Sequence, residues 1–160
     1  MTDANILDPD RLAPDATNPA VSTVMRDEVV FCLPSNTIDV IAKLMADNDL
    51  TEVPVLIDRR PIGYVRARDI VDRLVEGDVI VAGSDLVRPS VTDVTARDIL
   101  HTPPLLVDEK DRLADVLASM RAQERQSALV MHDDERPVGM ITVREVADHL
   151  ARQLEGAGNA

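Results

Sequence analysis

The alternation of apolar and polar positions is the same in two stretches of the chain. An apolar stripe at helical spacing ends at Met45, and a matching stripe ends at Met120, 75 residues later. Apolar residues that recur every three or four positions predict an amphipathic helix. Each stripe precedes a β-rich run, at 53–57 and at 128–131, and then a turn and a second apolar run, which predicts a hairpin. The pattern therefore predicts two similar subdomains.

Each repeat is expected to have the order β-α-β-β-α. The first strands are predicted at Val29–Phe31 and at Pro104–Val107, before helices capped by Asn36 and Asp111. The closing helices are expected over 69–77 and over 144–154. The fold class is thus α/β, in the sense of α+β, with tandem repeats packed about a pseudo-twofold axis.

The second repeat is one residue longer than the first. Val55 and Val130 lie 75 positions apart, whereas Pro61 and Pro137 lie 76 apart, so the second hairpin turn is expected to be one residue longer. A half of about 60 residues is only marginally stable by itself, so the repeats are expected to bury apolar surface against each other. The predicted segments are a flexible arm over 1–20, repeat 1 over 21–76, a packed connector over 77–97, repeat 2 over 98–154 and a disordered tail over 155–160.

Charge and composition argue against a nucleic-acid partner. The net charge of −12 repels phosphate backbones. Phe31 and Tyr64 are the only aromatic residues, too few for a platform on which bases stack. The core is therefore expected to consist of Val, Leu, Ile, Ala and Met.

The remaining composition indicates neither a metal site, nor catalysis, nor a membrane. Cys32 is the only cysteine, and its spacing to His101, His132 and His149 matches no set of metal ligands. There is no G-x-S-x-G motif, no run of about 18 apolar residues and no signal-peptide pattern. We expect a cytoplasmic protein that is not an enzyme.

The hairpin end and the helix after it carry the most specific motif, Gly–hydrophobic–x–Thr/Ser–x–x–Asp. It occurs as Gly63–Tyr64–Val65–Arg66–Ala67–Arg68–Asp69 and again as Gly139–Met140–Ile141–Thr142–Val143–Arg144–Glu145. Two complete repeats in register resemble the cystathionine-β-synthase (CBS) domain, and residues 21–154 look like a stand-alone CBS pair.

This resemblance implies regulation. It implies a homodimer that binds an adenosine nucleotide (AMP, ADP, ATP or S-adenosylmethionine) between the repeats and passes a signal to an unidentified effector protein. By the family pattern, the acid of the motif accepts hydrogen bonds from the ribose hydroxyls, and the Thr or Ser contacts phosphate. The adenine lies among residues just before the first hairpin strand of the other repeat.

Each repeat departs from that pattern at one position. Repeat 1 keeps Asp69 but has Arg66 in place of the hydroxyl, and repeat 2 keeps Thr142 but has Glu145 in place of aspartate. Arg66 can bind phosphate bidentately, or it can lie across the cleft paired with an acid. By resemblance, the first site would borrow Gln126 and Ser127, and the second would borrow Thr51 and Glu52.

Two hypotheses follow from the split motif. The first is a nucleotide sensor whose better site surrounds Asp69. The alternative is a ligand-free scaffold, used for dimerisation or partner binding, in which Arg66 fills the cleft. The acids also have a simpler interpretation, because acidic residues are favoured in the first turn of any helix.

Overall fold

The computed structural model describes residues 18–75 and 92–158 of the 160-residue chain. These residues form two compact units. The first unit comprises 30–75 with 92–104, and the second unit comprises 18–29 with 105–158. Each unit thus combines the hairpin of one repeat with the N-terminal segment of the other repeat. Most of the predicted arm and connector, and the last two residues of the tail, lie outside the described residues.

The first unit is a hairpin with helices around it. The hairpin is antiparallel, and its second strand runs directly into a helix. Its elements are α1 (Ile38–Asn48), β1 (Glu52–Ile57), β2 (Arg60–Arg66), α2 (Ala67–Val75) and the short α3 (Ala96–Ile99).

The second unit has a three-stranded sheet in the order β3-β4-β5. The outer strand β3 is parallel to β4, and β5 is antiparallel to β4. This confirms the predicted β-α-β-β-α order for repeat 2 and the mixed α+β class. Its elements are a 3-10 turn (Val21–Thr23), β3 (Leu106–Asp108), α4 (Leu113–Ala122), β4 (Ser127–His132), β5 (Arg136–Thr142) and α5 (Val143–Gly158).

The predicted first strand of repeat 1 does not form, and two prolines explain why. Only Cys32 makes a parallel bridge, to Val55. In the second unit, β3 is extended on either side by hydrogen bonds that the N–H groups of Leu129 (3.0 Å) and Glu109 (3.0 Å) donate. The equivalent residues 75 positions earlier are Pro54 and Pro34, which have no N–H to donate. The strand prediction at Val29–Phe31 was therefore wrong.

The two predicted helix caps instead stabilise the turns before the helices. The Asn36 Oδ1 accepts a hydrogen bond from Leu33 N–H (2.7 Å), and the Asp111 Oδ2 accepts one from Asp108 N–H (2.9 Å). Each helix begins two residues after the predicted cap. Asn36 and Asp111 therefore lie close to the start of each helix, as predicted, but each side chain accepts a hydrogen bond from the turn before the helix and not from the helix itself.

The hairpin turns confirm the inserted residue. The first turn has two residues, Asp58 and Arg59, both at positive φ (49° and 67°). The second turn has three, 133–135. The strand register shifts after Val55 and after Val130, at the same place in both hairpins.

Both ends of the second unit are more ordered than the sequence suggests. Asn18, placed in the flexible arm, accepts a hydrogen bond through Oδ1 from Ala114 N–H (2.8 Å), in the first turn of α4. At the other end α5 continues to Gly158 instead of stopping at Leu154. Extending an existing helix adds one hydrogen bond per residue fixed, and no proline intervenes to stop it.

The core is aliphatic, as predicted. Val, Ile, Leu, Ala and Met make up nearly all the buried apolar residues, together with Cys32. Phe31 is 44% exposed, so the single phenylalanine lies outside the core. No helix in residues 18–75 or 92–158 is both long and apolar enough to cross a membrane.

Candidate functional site

The first motif lies where β2 ends and α2 begins. Ala67, the first residue of α2, donates its N–H to the Thr51 carbonyl (2.8 Å), which fixes the start of the helix beside the start of β1. Arg66 is the last residue of β2, and Asp69 is in the first turn of α2. The two side chains therefore meet at the junction of strand and helix.

Arg66 binds Asp69 through two parallel hydrogen bonds. Its Nε lies 2.9 Å from Oδ2 and its Nη2 lies 2.7 Å from Oδ1. The Arg66 side chain is 35% exposed and that of Asp69 is 15% exposed. The fork of the guanidinium matches the carboxylate, an arrangement in which charge-assisted hydrogen bonds are strong.

His101 is a third member of this cluster, and the sequence reasoning missed it. Its Nε2 lies 2.9 Å from the Asp69 Oδ2. Tyr64 and His101 exchange two backbone hydrogen bonds of 3.0 and 2.9 Å, and their rings stack with centroids 5.4 Å apart. The segment 92–104 therefore brings His101 onto the end of β2.

Asp69 stays ionised in this setting. Burial alone would raise the pKa of its carboxyl, but the hydrogen bonds from Arg66 and the charge of His101 outweigh burial and lower the pKa below its usual value. The site therefore contains a carboxylate at neutral pH, the group needed to accept hydrogen bonds from hydroxyls.

The second motif forms the corresponding junction of β5 and α5 with different chemistry. The Thr142 hydroxyl and N–H both contact the Glu145 Oε2, the latter at 3.2 Å, and Arg144 N–H contacts the Thr142 Oγ1 (3.2 Å). This pattern is close to a capping box. The Nε of Arg26 contacts the other carboxylate oxygen of Glu145. Burial raises the pKa of Glu145, but Arg26 and Thr142 lower it to below its usual value.

Arg26 and His101 occupy equivalent positions. They lie 75 residues apart, and each forms an antiparallel β-bridge with the residue that follows a motif glycine. Arg26 pairs with Met140, and His101 pairs with Tyr64. Extending the offset of 75 from the helical stripes back to Val21 and Ala96 would have revealed this pair, because the repeat includes the segment before each stripe.

The motif glycines make these bridges possible. A Cβ on Gly63 would overlap the His101 carbonyl, and a Cβ on Gly139 would come within 2.6 Å of the Arg26 carbonyl. Only a residue without a side chain lets the incoming segment approach the strand so closely.

The other predicted site residues lie beside the motif of their own repeat. Glu52 is buried, 3% exposed, and opposite Arg66 in the strand register, while Thr51 is exposed. Ser127 is buried opposite Thr142. Gln126 is exposed, and its carbonyl accepts the Val143 N–H (3.2 Å). Each unit thus brings four predicted residues together: Thr51, Glu52, Arg66 and Asp69 in the first, and Gln126, Ser127, Thr142 and Glu145 in the second. The predicted borrowing of residues between repeats stays a prediction.

An open cavity of about 260 Å³ in the first unit reaches Asp69 and His101. Asp72, Arg73 and Asp98 supply its other charged groups. Its volume is a little below the range of about 300–1,000 Å³ that is usual for ligand pockets. Three carboxylates against one arginine and one histidine make it an unfavourable place for phosphate.

The cysteine and the histidines form neither a catalytic set nor a metal site within the described residues. Burial raises the pKa of the Cys32 thiol to about 12, so it is not a nucleophile at neutral pH. Within residues 18–75 and 92–158, no three His, Cys, Asp or Glu side chains are grouped to hold a metal ion. His132 contacts Glu109 and lies 3.5 Å from Asp133, at the hairpin turn.

One curated protein is similar to this chain in sequence. A curated relative from Thermofilum pendens, an uncharacterized 33.4 kDa protein in a ribosomal RNA operon, is 26% identical over 141 residues. The match covers 88% of this chain and 47% of that protein, so the chain spans about half the length of the curated relative it matches.

Two solved structures share the fold. A CBS domain protein from Pyrobaculum aerophilum, complexed with AMP, has a TM-score of 0.67 at 21% identity, over 86% of this chain and 97% of that one. The CBS domain pair of protein MJ0100, complexed with 5′-methylthioadenosine and S-adenosyl-L-methionine, has a TM-score of 0.69 at 14% identity, over 85% and 98%.

The family comparison agrees with the repeat that the sequence predicts. The CBS domain model matches residues 21–76 and 96–152, which together are more than half of the chain, and it indicates no catalytic family. With the tandem architecture of the structural relatives, this match shows that the chain belongs to the CBS domain family.

Proposed function

We propose that this CBS pair is a regulatory module that binds an adenosine nucleotide at the junction of β2 and α2. The observation that carries the proposal is the ionised Asp69 carboxylate, held at the motif position with Arg66 beside it. A carboxylate can accept hydrogen bonds from both ribose hydroxyls, and a guanidinium can bind phosphate bidentately. The AMP and S-adenosyl-L-methionine complexes of the structural relatives support the ligand class.

The second motif is the weaker candidate for a site. Glu145 already contacts Arg26, the Thr142 hydroxyl and the Thr142 N–H. The one hydroxyl that the family pattern assigns to phosphate thus binds an acid of its own repeat. A phosphate near Thr142 would have to displace that carboxylate and would be repelled by it.

Calorimetric titration with AMP, ADP, ATP and S-adenosylmethionine tests the proposal. We expect saturable heat with at least one ligand, abolished by Asp69→Asn. Glu145→Gln is the matched control, because it removes the equivalent charge in the other repeat and should leave binding intact. Unfolding temperatures of both variants report whether the fold survives. No heat and no rise in unfolding temperature at millimolar ligand would contradict the proposal, because a ligand specific for the folded state must stabilise it.

A ligand-free scaffold is the second candidate function, and one observation favours it. Arg66 lies on Asp69, so the acid has a partner of its own. In a pure scaffold the Arg66–Asp69 pair is permanent, and titration of any of the nucleotides gives no more heat than titration of buffer alone.

Self-association and a protein partner complete the proposal. The homodimer that the family resemblance implies is part of the proposal, and Val71 on α2, which is 54% exposed, offers a position at which to test it. Sedimentation equilibrium of the wild type and of Val71→Asp tests it, with a dimer expected only for the wild type. We further propose a cytoplasmic setting and an effector protein as the target of the signal.

A further inference from the structure

The state of Arg66 sets a condition on any ligand of the Asp69 site. Both Asp69 oxygens already accept hydrogen bonds from Arg66, at 2.7 and 2.9 Å. Ribose hydroxyls must compete with a charged, bidentate donor, and neutral hydroxyls form weaker bonds to a carboxylate than guanidinium does. A nucleoside alone would exchange stronger hydrogen bonds for weaker ones.

A phosphate changes this balance. If Arg66 moves from the carboxylate to a phosphate, it keeps a bidentate, charge-assisted partner. The Arg66 side chain is 35% exposed, so it can rotate without unpacking the core. The freed Asp69 oxygens then accept from the ribose. Arg66 therefore keeps a charged partner after the exchange only when the ligand is an anion.

His101 keeps Asp69 in place during the exchange. Its Nε2 contacts Oδ2, whereas Oδ1 has Arg66 as its hydrogen-bond partner. When Arg66 leaves, both Asp69 oxygens lose a hydrogen bond from the guanidinium, and Oδ2 retains its contact with His101. The carboxylate therefore keeps its orientation toward the ligand.

The surrounding charges direct the phosphate to Arg66. The cavity that also reaches Asp69 and His101 is lined by Asp72 and Asp98, which repel an anion and outnumber the one arginine there, Arg73. The hydrogen bond from Arg66 to Asp69 raises the pKa of Arg66, and the charge of Glu52, which lies opposite Arg66 in the strand register, adds to this effect, so the guanidinium remains charged.

We propose that Arg66 is a selectivity residue that exchanges Asp69 for the ligand's phosphate, so that the site takes nucleoside phosphates and excludes the uncharged nucleoside. This inference rests on the proposed function. It adds the class of ligand and the residue that selects it.

Titration of AMP and of adenosine into the wild type and into Arg66→Met tests the exchange. Methionine is chosen because threonine would restore the hydroxyl that the family pattern assigns to phosphate. In the wild type, adenosine must displace Arg66 without offering it a phosphate, so it should bind about 10–100-fold more weakly than AMP. In Arg66→Met the carboxylate has no competing guanidinium, so adenosine should bind more tightly than to the wild type, and the ratio of the two affinities should fall to within about threefold. Arg68→Met is the matched control, because Arg68 is exposed and carries the same charge. It should retain the wild-type ratio.

The outcomes separate the two proposals. Equal affinities for AMP and adenosine in the wild type, or no gain for adenosine in Arg66→Met, overturn the exchange and leave the nucleotide site standing. Binding only to Arg66→Met overturns it too, because Arg66 would then block phosphate as well. Binding of neither ligand to either protein overturns the proposed function and the exchange together. Arg66→Gln, which is polar but uncharged, replaces Arg66→Met if the latter does not fold.

Discussion

The two units are built on the same backbone and place different chemistry at the same point. In both, a segment from the other repeat lies against the motif glycine and brings a basic residue to the acid in the first turn of the closing helix. The first unit has Arg66, Asp69 and His101, and the second has Thr142, Glu145 and Arg26. The lesson is that a duplicated fold conserves the positions where groups meet, while the groups themselves are free to diverge.

The largest expected effect comes from the glycines that both units share. Gly63→Ala should lower the free energy of unfolding by about 3 kcal/mol, the upper end of the usual cost of overpacking. Its new Cβ overlaps a backbone carbonyl and the Leu100 side chain. Gly139→Ala should cost nearly as much, because its Cβ would come within 2.6 Å of the Arg26 backbone carbonyl as well as 2.5 Å from the Met25 sulfur. Urea denaturation measures both.

Gly156→Ala is the control for these two changes. A Cβ at Gly156 meets no atom within 4 Å. Alanine has a higher helix propensity than glycine, so the free energy of unfolding of this variant should be unchanged or slightly higher. If all three substitutions had the same effect, close approach of the exchanged segments would not be the reason for the glycines.

The second effect concerns the acids and their pH dependence. Glu145→Gln and Asp69→Asn should each lower the free energy of unfolding by about 1–2 kcal/mol at pH 7, since each removes charge-assisted hydrogen bonds at a part-buried group. Both folded-state pKa values are lowered, so the stabilisation is full above the unfolded pKa of about 4 and is lost as the pH falls through the folded value. Chemical denaturation should show a larger difference from wild type at pH 7 than at pH 2.

The third effect sharpens the contrast between the basic partners. Among the described residues, Asp69 has two basic partners, Arg66 and His101, whereas Glu145 has Arg26. Arg26→Gln should therefore lower the free energy of unfolding by about 1 kcal/mol and His101→Gln by about half as much. Thermal denaturation at one pH compares them. A larger loss for His101→Gln would mean that the acids are not held as the geometry indicates.

The fourth effect is a gain in stability at the hairpin turns. Arg59 has φ of 67°, and a residue other than glycine is strained there. Arg59→Gly should raise the free energy of unfolding by about 0.5–1 kcal/mol. Asp134, with φ of 60°, tolerates this region better, so Asp134→Gly should gain less. The order of the two gains, measured by urea denaturation, is the test.

The smallest effect belongs to a contact that only the second unit has. Glu109, through its hydrogen bond and its charge, raises the pKa of His132, and the equivalent positions in repeat 1 are Pro34 and Ile57. The contact stabilises the fold below the unfolded histidine pKa of about 6.5, and this contribution is lost as the pH rises through the folded value. An NMR titration should give His132 a pKa above 6.5, and Glu109→Gln should lower it.

The sequence predicts the repeated architecture because its signals are local. Apolar periodicity and turn residues place the helices and hairpins, and the offset of 76 at Pro61 and Pro137 predicts the longer second turn. The missing strand of repeat 1 was predictable too, because Pro34 and Pro54 remove two N–H donors. That error came from reading an apolar run without asking where its hydrogen bonds go.

The site was less accessible to sequence reasoning because its contacts are long-range. The motif identifies Arg66 and Asp69, but His101 lies 32 residues from Asp69, and Arg26 lies 119 residues from Glu145. No local pattern links such pairs. Whether Arg66 would bind an acid was left open by the sequence, because both outcomes use the same guanidinium geometry.

The central claim is that the first unit, at Asp69, is the one that binds nucleotide. Its most direct test is an amide NMR titration of the ¹⁵N-labelled protein with AMP. We expect saturable shift changes around 64–69 and at His101, with residues 142–145 unaffected. Shift changes centred on Thr142 and Glu145, or no changes at millimolar AMP, would contradict it.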